Sequence, residues 1–235
     1  MKRSISLAFL GFLGLATPAG AHDISASPNE KVQASFDVLS AQVEVEGNLV
    51  TFIMRTRGTA GAEKPVKTGR FAGSNVYAYV WPTKLDPEAA GFEKGAGLPA
   101  AAVTAHPDFN DEPLFENNGA EWHFHWVVLT RDAACGPAAL KVRDIEAGSR
   151  PKLPKTWPGA PIFIDSPGYK PRFAGPIARV TVPFESAETA ASVAFDGVTT
   201  ALRVNGNLHA PLLCVSDVFK VASGDLSLPG QARSK

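Results

Sequence analysis

Five histidines occur in the 235 residues, and two stand one residue apart in Glu121-Trp122-His123-Phe124-His125-Trp126-Val127-Val128-Leu129. On a β-strand, alternate side chains share a face. Trp122, Phe124, Trp126 and Val128 then form a core face, while His123 and His125 project together from the other. Their α-carbons lie roughly 6.6 Å apart at the usual strand rise. Two imidazoles at that spacing can converge on one ion at about 2.0–2.1 Å each. A strand also holds them with little ordering cost. The plainer use of such a pair is hydrogen bonding to loops or lining a polar sheet face.

The other three histidines are candidates to complete a site. His22 becomes the first residue if the chain is cut after Ala21. An α-amino group with a pKa near about 7.7–8.0 can then bind beside the imidazole of the same residue. One further histidine gives a three-nitrogen set suited to copper(II); a frayed end is the plain alternative. His106 lies in His106-Pro107-Asp108-Phe109-Asn110-Asp111-Glu112, a run with partial calcium-loop character. It lacks the alternation and central glycine of an EF-hand, so a solvated loop is its default. His209 lies five residues before Cys214, and a Cys135–Cys214 bridge would tether it near the end of the His-x-His strand. The expected metal set is therefore His123 and His125, with His22 third and His106 and His209 in reserve. Glu121 is a candidate partner or base and Asp108 a candidate base.

His123-Phe124-His125-Trp126 resembles the zinc strand of α-class carbonic anhydrases, where a His-x-His followed by Trp supplies two of three zinc ligands. The likeness covers four residues. The Glu-x-His-x-x-His-Trp segment that supplies that family's third histidine does not follow here. A histidine at the mature amino terminus is similar in kind to that of exported histidine-brace copper proteins and of some periplasmic nickel or copper carriers; this likeness rests on one residue.

The elements that must position these residues read as β. Period-two alternation runs through Phe36–Val45, Val50–Met54, Val76–Trp81 and Trp122–Thr130. It continues through Leu140–Arg143, Ile162–Ile164, Ile177–Phe184, Ser192–Phe195, Thr199–Val204 and Leu212–Val221. Glu46-Gly47-Asn48 reads as a hairpin turn. Nine or ten short strands with turn signals between them predict an all-β, antiparallel β-sandwich, Ig-like or jelly-roll-like. Single turns of helix are expected at Pro87–Phe92 and Leu98–Thr104. Two long irregular loops are expected, about Pro82–Glu121 and Arg150–Pro176, the second rich in proline.

Lys2 and Arg3, the apolar run Ser6–Ala16 and Ala19-Gly20-Ala21 read as a cleaved secretory signal over residues 1–21, leaving 22–235 as a single domain. The expected setting is periplasmic or secreted. There, an isolated cysteine pair is most simply a disulfide; closing a loop of about 80 residues contributes up to roughly 4.5 kcal/mol. No second apolar run is long enough to span a bilayer. Formal charge is zero, from 23 basic and 23 acidic residues, which argues against nucleic acid bound through bulk positive charge.

No Gly-x-Ser-x-Gly elbow, phosphate-cradling glycine loop, dinucleotide glycine pattern or His-Glu-x-x-His helix is present. Met54 is the one methionine after residue 21, which excludes a methionine-rich copper(I) carrier. The reading is an exported protein that binds or delivers one transition-metal ion: copper, zinc or nickel. Copper gains if His22 takes part, zinc if His106 or His209 completes a tetrahedron. The expected partners are the ion and a membrane transporter or metal-acceptor protein. The alternatives are a metal-dependent enzyme (zinc hydratase or hydrolase, or copper oxidase) and a metal-free sugar- or peptide-binding module with Trp81, Trp157 and Tyr169 lining a groove.

Overall fold

The computed structural model describes residues 22–111, 121–206 and 211–235; the expected signal, 1–21, lies outside them. The first strands are β1 (Ile24–Ser25), β2 (Val38–Glu46), β3 (Leu49–Thr56), β4 (Asn75–Pro82), β5 (Leu98–Ala105), β6 (His123–Arg131), β7 (Leu140–Val142) and β8 (Ile164–Asp165). Then come β9 (Arg172–Ala174), β10 (Ile177–Pro183), β11 (Ala194–Phe195), β12 (Val198–Val204), β13 (Leu213–Val221), β14 (Gly230–Gln231) and β15 (Arg233–Ser234). One short helix, α1 (Ala187–Ala191), and two 3-10 turns, Pro87–Ala90 and Ala133–Ala138, complete the described elements. None is a helix long and apolar enough to cross a membrane.

Strands β1-β2-β3-β10-β9 form an open antiparallel sheet, with β15 joining β2 in parallel. The remaining long strands close on themselves. β5 pairs with β4 and β6, β7 pairs with β6 and β13, and β12 pairs with β13 and β4. That is a six-stranded antiparallel barrel, with β8 laid on β6. The open sheet packs on one barrel wall, so the molecule is sandwich-like with one layer closed.

The alternation in each strand divides its side chains between two cores. Phe52, Met54, Tyr79, Trp81, Val103, Phe124, Trp126 and Val128 fill the space between sheet and barrel. Val76, Ala78, Val80, Ala102, Val127, Leu129, Val142, Val198, Leu202 and Val215 face the barrel interior. Gly197 packs against Ala41 of the open sheet. A Cβ there would lie 2.5 Å from the Cβ of Ala41, so only hydrogen fits. The Cys135–Cys214 disulfide joins the turn after β6 to the start of β13.

One expected element is corrected. Leu98–Thr104 is not a helical turn but most of strand β5, paired with β4 on one side and β6 on the other. Its alanines favour helix intrinsically. Tertiary pairing overrides that preference, because a strand buried on both faces takes small side chains where the barrel and the sheet core crowd it.

Candidate metal centre

β6 presents its two faces as the alternation demands. Phe124, Trp126 and Val128 pack against the sheet; His123, His125, Val127 and Leu129 share the other side of the strand. That other side is the inside of the barrel, and the imidazole centroids of His123 and His125 are 4.7 Å apart. Thr104 pairs in register with His123. His106, two residues beyond Thr104, therefore falls on the same face. It follows the last residue of β5 and brings its ring to 4.5 Å from that of His123. A turn at Pro107-Asp108 then carries the chain back to Asp111. Phe109 stacks on the His106 ring at 4.1 Å and 7°.

The result is a cluster of His106, Asp111, His123 and His125 whose donor atoms all lie within 4.8 Å of one another, a group that could hold a metal ion. The Nε2 atoms of His106 and His123 are 2.7 Å apart. Asp111 Oδ1 lies 3.3 Å from each of them, and Oδ2 lies 3.5 Å from His125 Nε2. Donors sharing one tetrahedral ion at about 2.0–2.2 Å sit roughly 3.3–3.6 Å apart, so binding would open the His106–His123 contact and draw any wider pair together.

The outward ring nitrogens decide the tautomers. His106 Nδ1 is 3.0 Å from the Phe109 carbonyl, His123 Nδ1 2.8 Å from that of Glu121, and His125 Nδ1 3.1 Å from that of Asp165. A carbonyl only accepts, so these contacts favour the tautomer with the proton on Nδ1, and at His125 the Ser166 hydroxyl also lies 3.1 Å from that nitrogen. In the neutral rings every Nε2 is then an acceptor, and all three face one another and a carboxylate, with the Thr104 hydroxyl 3.4 Å from His123 Nε2. One shared proton relieves one contact; a cation relieves all of them. Of the four buried side-chain atoms without a hydrogen bond among the described residues, two are here: His125 Nε2 and Asp111 Oδ1.

Burial sets the charge states. Desolvation pushes His125 down to about 3, against the opposing pull of Asp111, so its ring is neutral at neutral pH. Burial pulls Asp111 up, but the three histidines outweigh it and hold the carboxyl well below its usual range. The site thus presents a neutral His125 imidazole and an ionised Asp111 carboxylate, states that metal binding requires.

Neither a protein-family model nor a curated protein nor a solved structure matches this chain. The site must therefore be read from its own residues. His22 is exposed at the edge of the open sheet, where its carbonyl accepts from Gln231, and is not among the converging side chains. His209 lies outside the described residues. Asp108, a candidate base, instead accepts from the backbone of Thr68 and Gly69 and from the Thr68 hydroxyl. Glu121 meets the site through its carbonyl. Asp111 was not among the expected ligands. The one signal for it is its place in the oxygen-rich run after His106.

The aromatic groove does not form. Trp81 is fully buried in the sheet–barrel core. The indole N–H of Trp157 donates to the carbonyls of Ala160 and Ile162, and Tyr169 packs on Phe124.

Proposed function

We propose that this is an exported transition-metal-binding protein that holds one divalent ion on His106, His123, His125 and Asp111. The observation that carries the reading is that each of three Nδ1 atoms lies against a backbone carbonyl, which turns three Nε2 atoms and a carboxylate toward one point. Four donors of nitrogen and oxygen suit zinc first. Copper(II) loses the amino-terminal chelate that favoured it, because His22 stands apart. The histidine side chains are at most 6% exposed and that of Asp111 14%, which favours a resident ion over a cargo handed to a transporter or acceptor protein. The amino-terminal residues support export to a periplasm.

A second reading, a metal-dependent enzyme, is favoured by one further observation. His106, Asp111 and His125 also line a cavity of about 700 Å³ that fills the barrel. An ion bound there can polarise an oxygen or activate water.

Equilibrium dialysis with elemental analysis tests the primary reading. One zinc per chain is expected in the natural protein and none in the His123→Ala/His125→Ala double variant. Equal stoichiometry in the two refutes the site.

A further inference from the structure

The barrel interior is too large to be packing slack. Its volume falls within the roughly 300–1,000 Å³ of small-molecule sites. The walls are aliphatic: Val76, Ala78, Ile164, Val198, Leu202 and Val215 all line it. The polar side chains at the sides are already engaged. The Thr200 hydroxyl donates to the carbonyls of Ala201 and Asp217, and the Asp225 carboxylate accepts from Ser223 and Ser227. His106, Asp111 and His125 enter the lining together at one end, while the exposed Asp225 borders it toward the other. Phe71 and Val218, two of the large apolar side chains exposed among the described residues, also border the cavity and bring it to the surface.

Charge narrows the chemistry. Three neutral imidazoles, one carboxylate and a divalent ion leave one positive charge facing an apolar chamber. An uncompensated buried charge is costly, and a single anionic oxygen head offsets it. From His125 to Leu129, which lines the chamber further along β6, the strand advances about 13 Å, room for a chain or ring system beyond the head. We infer that the barrel binds an apolar monocarboxylate, its hydrocarbon body among the aliphatic walls and its carboxylate on the ion at the histidine end. The inference rests on the metal reading above and adds the ligand class to it.

Cobalt(II) and decanoate separate the two. The apo protein is first titrated with cobalt(II), whose visible spectrum reports uptake and coordination. Decanoate is then added, with decanol as the uncharged counterpart. The expected result is stoichiometric uptake, then a saturable change in the cobalt bands with decanoate and at least tenfold weaker binding of decanol by calorimetry. Val142→Phe and Val198→Phe fill the chamber away from the ligands. Each should take up cobalt as the natural protein does and bind decanoate at least tenfold more weakly, with circular dichroism confirming the fold. Either variant alone, if folded, suffices for the comparison. Absence of cobalt uptake overturns the metal reading and this inference with it. Normal uptake with no spectral response to decanoate, or with undiminished binding in a folded chamber-filling variant, overturns this inference alone.

Discussion

Adding zinc to the metal-free protein is the most informative perturbation. Without a cation, the Nε2 atoms of His106 and His123 face each other at 2.7 Å while both Nδ1 protons are committed to carbonyls. An ion that binds this arrangement, and not the unfolded chain, stabilises the fold by mass action. At zinc a hundredfold above its dissociation constant the gain is about 2.7 kcal/mol. For a chain of this length each kcal/mol moves the melting temperature by about 2–4 °C, so zinc should raise it by roughly 5–11 °C. Asp111→Asn removes the one anionic donor and should weaken zinc by at least about a hundredfold, leaving about 0.4 kcal/mol, or 1–2 °C, at the same zinc concentration. Differential scanning calorimetry of chelator-treated protein, with and without zinc, reads both shifts, and the difference for each protein cancels any effect of the substitution on the apo state. His22→Ala serves as the control and should retain the full shift, since His22 lies outside the cluster. The reasoning fails if zinc leaves the natural protein's melting temperature unmoved, or if Asp111→Asn responds as strongly as the natural protein.

Three further outcomes follow from the scaffold. The buried Asp37 carboxylate lies 2.6 Å from Lys220 Nζ and 2.8 Å from Arg57 Nε. Burial pulls its pKa up, but Lys220, the Asn29 N–H and Arg57 outweigh that and hold it below the usual value. Its contribution is therefore complete above about pH 4 and lost as pH falls through the folded value. Asp37→Asn should cost about 3 kcal/mol at pH 7, and urea melts should show the gap narrowing under more acid conditions. Gly197→Ala should cost about 1–3 kcal/mol in the same melts, because its methyl would meet Ala41. Cys135→Ser/Cys214→Ser should lower stability by about 2–4 kcal/mol, given the 79-residue separation, and a reductant should then no longer alter the melt.

The architecture was legible where hydrophobic alternation is strong. In Trp122–Trp126, bulky aromatic and histidine side chains alternate without a break, so the shared face of His123 and His125 could be read from spacing alone. β5 hid because alanine carries no period-two signal, and its strand state comes from β4 and β6, both distant in sequence. Misreading β5 also obscured His106, whose inward direction follows from its parity with Thr104. Asp111 was less visible still, since its position depends on a turn outside the strand. Barrel closure, set by the β5–β6 and β7–β13 pairings, has no local signature in the chain.

β6 matters to the candidate site beyond the converging side chains themselves. Trp126 stands between His125 and Val127, and its indole meets Phe52 and Phe184 edge-on on the side away from the imidazoles. A residue outside the candidate donor set therefore packs the ribbon from behind. The hold on any ion bound there would then be adjustable from the hydrocarbon side of the wall. Trimming that indole should leave every donor atom in place and still make the hand less steady.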